Sequence, residues 1–370
     1  SNGLVCGEPI APSTPAPTAT STPIPPTATP TPPPSQIMSF IQPDPSKKPG
    51  DAGVTNQFYL SATVNEASGQ TRSAAFPNNS WFLNDGTAKK IFRVDHANPG
   101  TIKATITLPG SRDIENMAND GSTLYIGDTG CNSGCSGRIG RIYKLQEPTT
   151  TSGSVSVDVI YFEFSDYYKD IETMMIDSSQ TDPNGPYLFM VPKGDSPGWD
   201  PDTKRKYVYY LTKNDLQNYP KLTWNPGGVQ PPENSSPKLE LKKVLNTTIA
   251  IHESSSSVPG ACNLSGNVKC NTKYTAGDIS QDGQHIAIRT EDNIFYWKRR
   301  PGESVINAMA RKPEILMNWT EEWQYETLSF SDQGTGFYTT TERNSSAPTM
   351  LFYQFQQSSA LGNILGITNE

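Results

Sequence analysis

The chain has 370 residues, a formal net charge of −7, 32 prolines and 29 glycines; 18% of residues are charged and 34% hydrophobic. No run of about 18 apolar residues occurs, which excludes a membrane-spanning helix, and the acidic balance argues against a nucleic-acid partner, which would require a basic face. Gly, Pro, Ser, Thr and Asn are too frequent for a coiled coil or a helical bundle.

The N-terminal segment is compositionally separate. Eleven of the 32 prolines fall between Pro9 and Pro34, and residues 11–35 carry no aromatic residue and no charge. Such a segment cannot bury enough apolar surface to offset its ordering entropy. Proline fixes φ near the polyproline II value, so an extended arm is expected over residues 1–50. At about 3.1 Å per residue its proline-rich stretch would reach roughly 80 Å, against a diameter of about 50 Å for the rest of the chain. Thr14, Thr18, Thr20, Thr22, Thr27, Thr29 and Thr31 are interleaved with these prolines. That is the usual setting for O-glycosylation of secreted stalks. The opening SNGLVCGEP has no basic n-region or apolar h-region and reads as a mature end. The closing GNILGITNE has no hydrophobic tail for a lipid anchor.

Of the five cysteines, Cys131 and Cys135 close a CNSGC loop, and Cys262 and Cys270 bracket a second Gly/Asn-rich stretch. Two local disulfides are the simplest pairing in an oxidising compartment; a four-thiolate zinc site fits the loose spacing poorly. Cys6 is the odd thiol, far out on the arm, and is a candidate for an intermolecular disulfide. N-glycosylation sequons begin at Asn78, Asn234, Asn246, Asn263, Asn318 and Asn344. About five would arise by chance at this composition, so their number is no argument for secretion; most sit beside Gly, Pro or Ser in expected loops.

Residues 51–370 repeat a pattern. The segments at 113–129, 170–193, 277–290 and 325–342 each carry an acidic residue at their first or second position, alternate apolar residues, turn through Asp, Asn or Gly, and alternate again. A weaker copy covers 66–85. This is strand–turn–strand by period-two alternation. Third strands follow at 90–94, 141–145, 206–212, 293–299 and 349–355, and fourth strands at 101–108, 155–164, 238–245 and 314–319. The last copy lacks a fourth strand, which QFYLSATV (57–64) would supply from the other end of the chain and so close the ring. An all-β propeller of five blades is therefore expected, or six if residues 194–276 hold another.

The runs NEASG…WFLND, DIENMA…LYIGDTGCN…RIYKLQEP, GDISQDGQHIAIRT and YETLSFS…GFYTTTE resemble a family of secreted β-propeller proteins over nearly all of residues 60–355. Where that family has Gly-Asp-x-Gly-Asp-Asn this chain has GDTGCN, with Cys131 in place of an acidic residue. The arm resembles hydroxyproline-rich algal glycoproteins and the stalks of bacterial surface proteins.

Since the first strand of a propeller blade lines the central channel, Glu115, Glu172, Asp278 and Glu326 are expected to converge and could hold Ca²⁺, which takes six to eight oxygen ligands. The bland alternative is that they accept backbone N–H bonds from the next blade or pair with Arg112, Arg289 or Arg343. No cofactor is required by any motif. His96, His252 and His285 lie at no metal-ligand spacing, and GDSPG (194–198) lacks the strand-to-helix context of a nucleophile elbow. The six tryptophans are candidate sugar platforms or, more simply, packing between blades.

The functional expectation is a structural subunit of an extracellular glycosylated filament or surface appendage, with copies of itself and glycans as partners. A secreted Ca²⁺-dependent hydrolase and a carbohydrate-binding propeller on a stalk are the alternatives.

Overall fold

A computed structural model describes residues 39–41, 48–85, 89–131, 138–164, 168–193, 207–248, 273–290, 293–311, 313–318, 325–342 and 347–356. The chain separates into two compact units, Ser1–Ile37 and Met38–Glu370, and every described residue belongs to the second.

That unit is a five-bladed β-propeller. Two short strands, β1 (Ser39–Ile41) and β2 (Gln57–Tyr59), precede the first blade, β3 (Ala67–Arg72), β4 (Asn79–Asn84), β5 (Lys90–Asp95) and β6 (Ile102–Thr107). The second blade is β7 (Ile114–Asp120), β8 (Thr123–Asp128), β9 (Gly140–Gln146) and, after β10 (Ser152–Ser154), β11 (Val157–Glu163). The third is β12 (Ile171–Ile176), β13 (Pro186–Pro192) and β14 (Tyr207–Thr212); helix α1 (Lys213–Asn218), β15 (Thr223–Trp224) and β16 (Leu239–Glu240) intervene before its outer strand β17 (Lys242–Thr248). The fourth is β18 (Tyr274–Ile279), β19 (His285–Thr290), β20 (Asn293–Lys298), helix α2 (Val305–Met309) and β21 (Glu314–Asn318). The fifth is β22 (Tyr325–Phe330), β23 (Gly336–Thr341) and β24 (Thr349–Gln356).

As expected, QFYLSATV supplies the missing outer strand: β2 pairs antiparallel with β24, Phe58 opposite Met350. A second segment joins the same edge further along, with Phe40 of β1 opposite Phe355. The propeller unit thus takes in residues ahead of position 51. The segment 238–245, read as one strand, divides between two blades. Leu239–Glu240 adds in parallel to β11 of the second blade, and Lys242–Thr248 forms the edge of the third. Two strands of the long insertion between the third and fourth repeats, Thr223–Trp224 and Leu239–Glu240, therefore cover the second blade's edge, and the described residues form five blades.

The turns repeat too. Gly121, Gly283 and Gly334 take positive φ between the first two strands of their blades, and Asn78 takes the same left-handed conformation in the first (φ 57°). Glycine and asparagine tolerate it best.

The core is divided among the blade interfaces. Trp81, Leu83 and Ile91 meet Ile114, Met117 and Leu124 between blades one and two. Equivalent apolar layers fill the other interfaces, down to Phe82 and Val94 against Met350 where the ring closes. Each fully buried Leu, Ile or Phe contributes about 1.5–3 kcal/mol. Because both faces of every blade are covered, β3, β7, β12, β18 and β22 are buried along almost their whole length. Gly69 shows how tightly these strands pack: a Cβ there would lie 3.0 Å from the Asn116 backbone.

Candidate functional site

The five inner strands form a ring in which β3 neighbours β7, β7 neighbours β12, and so on round to β22 beside β3. In every blade the pairing of the first two strands slips at the second residue of the inner strand. The extra residues are Ser68, Glu115, Glu172, Thr275 and Glu326. A bulge re-aims its side chain, and equal positions face each other around the ring: Ser68 Oγ donates to Glu115 Oε2 at 3.1 Å, and Asn119 Nδ2 to the Arg72 carbonyl at 2.9 Å.

This register changes one expected site residue. Glu115, Glu172 and Glu326 share the bulge level, whereas Asp278 lies three residues beyond the fourth blade's bulge residue, Thr275. Asp278 does not join the acidic group. Its Oδ2 accepts from the Phe330 amide of the next blade at 2.9 Å and lies 3.8 Å from Arg72 Nη1; its Oδ1 accepts from the Ile279 amide. Arg72 also reaches the Ile279 carbonyl at 3.4 Å, bridging from the first blade to the fourth across the ring. For Asp278 the bland alternative holds.

At the bulge level the fold adds acids that sequence reasoning missed. Ligand-capable oxygens of Glu115, Asp170 and Glu172 lie within 4.8 Å of one another, and so do those of Asp85, Asp113 and Glu115. Asp113 and Asp170 each stand immediately before an inner strand, so that Asp-Ile-Glu occurs twice, at 113–115 and 170–172. That repeat was the available signal. Asp85 follows β4, and nothing in its local sequence announces the site.

The surrounding chain holds these carboxylates in place. The Cys131 amide donates to Asp170 Oδ1 at 2.8 Å. Thr129 Oγ1 donates to the Ile171 carbonyl at 2.6 Å and accepts from Asn116 Nδ2 at 2.9 Å. Gly130 leaves the space the carboxylates fill, since a Cβ there would stand 2.1 Å from Glu115 Oε1 and 2.8 Å from Asp113 Oδ2. The GDTGC loop is thus the cradle of the acidic group.

Its electrostatics are unfavourable to charge. Burial, then Glu172 and Asp85, push the Glu115 carboxyl well above the usual range. Burial, then Glu326, do the same to Glu172 against the opposing pull of Lys193. Asp113 is raised by burial and Asp85, and Glu342 by burial, Asp85 and Glu66. Lys193 is the counter-charge. Burial opposes its ammonium, yet Glu172, to which it donates at Oε1, holds it above the ordinary lysine value. Arg138 Nη2 lies 3.8 Å from Asp113.

Other expected sites are more ordinary. Trp81, Trp224 and Trp297 are buried, each with its indole N–H donated inside the protein; Trp199, Trp319 and Trp323 lie outside the described residues. Asn78 and Asn234 are exposed, while Asn246 and Asn318 fall within β17 and β21 rather than loops. Cys131 is buried at the cradle. Cys6, Cys135, Cys262, Cys270, Asn263, Asn344, His252, the GDSPG segment and the arm threonines lie outside the described residues.

No protein-family model matches the chain, and no curated protein matches it. No helix among the described residues is long and apolar enough to cross a membrane.

Proposed function

We propose that this chain is a structural subunit of an extracellular glycosylated filament or surface appendage. The propeller is the building block and the Pro/Thr-rich arm the connector between copies. The observation that carries this reading is where the propeller unit begins. β1 lies on the outer edge of the fifth blade, beside β2 on β24, and the eleven-proline stretch ends at Pro34, five residues ahead of Ser39. The proline-rich connector is therefore followed within five residues by an edge strand of the fifth blade. At roughly 80 Å it exceeds the brick's diameter of about 50 Å and reaches a neighbouring copy. Passing an arm from each subunit to the next is a heterologous contact, which builds a filament when the rotation does not close.

Secretion, the two local disulfides, an intermolecular bond at Cys6 and glycans on the arm threonines belong to this reading. So does kinship with secreted propeller proteins. The exposure of Asn78 and Asn234 supports their glycosylation. Electron microscopy and sedimentation of the full chain, produced by a secreting and glycosylating host, test the proposal. Filaments are expected from the full chain and discrete particles from one lacking residues 1–35. Discrete particles from both, at concentrations where glycans and disulfides are verified, would overturn it.

A further inference from the structure

We propose that the acidic mouth of the channel binds one divalent cation of the calcium class, held by Glu115, Asp170 and Glu172 and closed by Asp113 and Asp85. This stands apart from the filament reading and survives its failure.

A group of acids alone would not carry the inference. The deciding atom is Oε2 of Glu172. Glu172 is 3% exposed, its Oε1 takes Lys193, and its Oε2 is buried without a hydrogen-bond partner, in a carboxylate grouped with those of Glu115 and Asp170. A buried carboxylate oxygen left unpaired is costly. A cation would supply the partner that atom lacks.

The donor set selects the kind of cation. All five side chains offer carboxylate oxygens, which suits a hard ion rather than zinc or copper. Ca²⁺ accepts six to eight oxygens in a flexible arrangement, whereas Mg²⁺ demands a near-ideal octahedron, so an irregular set of carboxylates drawn from three blades suits the former. Within each of the triads Glu115–Asp170–Glu172 and Asp85–Asp113–Glu115 the ligand oxygens lie within 4.8 Å of one another. The supporting hydrogen bonds, Cys131 amide to Asp170 and Ser68 to Glu115, orient ligands as outer-shell partners of metal sites do. Lys193 is the built-in competitor, satisfying part of the negative charge from within the protein. Asp85 comes from the first blade, Asp113 and Glu115 from the second, Asp170 and Glu172 from the third. One ion would therefore staple three blades.

The test uses the full chain stripped by a chelator and titrated with Ca²⁺ by calorimetry and thermal melting, with Mg²⁺ in parallel. One Ca²⁺ per chain is expected, with a Tm rise of several degrees and weaker binding of Mg²⁺. Glu172→Gln and Asp170→Asn should weaken Ca²⁺ at least tenfold, and Lys193→Gln should tighten it. Glu115→Gln should raise the Tm in chelator, by relieving repulsion, and lower it relative to wild type in Ca²⁺; a purely structural carboxylate would give one sign in both. If a buried variant fails to fold, Asp113→Asn, whose side chain is 17% exposed, carries the tenfold criterion. No Ca²⁺ binding by the stripped chain, or binding unchanged in the variants that fold, would overturn the proposal.

Discussion

His96 has a hydroxyl for a partner where a charged imidazole would need a carboxylate. Its Nε2 lies 2.9 Å from Ser80 Oγ, and its ring packs 4.0 Å from that of Tyr338. Burial pulls its pKa down to about 4, against the weaker opposing influence of Asp332 and Asp95. The folded state thus binds fewer protons here than the unfolded chain, whose histidine titrates near 6.5. The neutral ring's contribution is complete above that value and is lost as pH falls toward 4, by roughly 2–3 kcal/mol at pH 4.5. Urea unfolding at pH 7 and pH 4.5 should show His96→Gln losing less stability on acidification than wild type by roughly that amount. Equal losses would contradict the assignment. Asp278 teaches a related lesson at the same scale. It matches the repeat by residue type, but the bulge sets the level of a side chain in the ring, and Asp278 lies three residues past it.

Between elements, side chains decide which loops latch which blades. Glu147 follows β9 yet accepts from Ser73 Oγ, the Ala74 and Ala75 amides, Trp81 Nε1 and Asn119 Nδ2, tying the first turn of blade one to blade two. It is 4% exposed. Glu147→Ala leaves these donors in the interior without an acceptor and should cost about 3–5 kcal/mol by chemical denaturation. Glu147→Gln keeps one acceptor oxygen and should cost less. A loss under 1 kcal/mol for the alanine variant would show that water replaces the latch. The divided strand at 238–248 belongs here as well. Leu239 and Leu241 alternate as a strand should, but the Leu241 amide donates to Glu163 of the second blade before the chain crosses to the third. Alternation says that a strand forms; it carries no address for its partner.

Ring closure is a property of the whole propeller. β24 is the last strand of the last blade and would expose an edge; β2 covers it, with the Phe352 amide donating to Asn56 and the Leu60 amide to Pro348. Phe58 packs against the apolar layer between the fifth and first blades. Phe58→Pro removes a ladder donor and that packing together, and should lower Tm by several degrees. Deletion of residues 1–35 should leave the propeller's melting unchanged. If the deletion melts early instead, the arm is part of the folded unit rather than a connector from it.

Five copies of strand–turn–strand, the glycines at their turns, the closing segment at 57–64 and an acidic residue opening most repeats were all legible in the chain. They are local: each depends on neighbours within a few residues, through period-two alternation and the φ that Gly tolerates. The gathering of Asp85, Asp113, Glu115, Asp170 and Glu172 was only half legible. The doubled Asp-Ile-Glu marks four of them, but Asp85 joins from another blade, and Lys193 faces Glu172 from the far end of the second strand. That meeting depends on a bulge recurring at one level in every blade and on the ring closing to bring three blades to one mouth. Both are set by packing among distant strands, and only the tertiary structure supplies that.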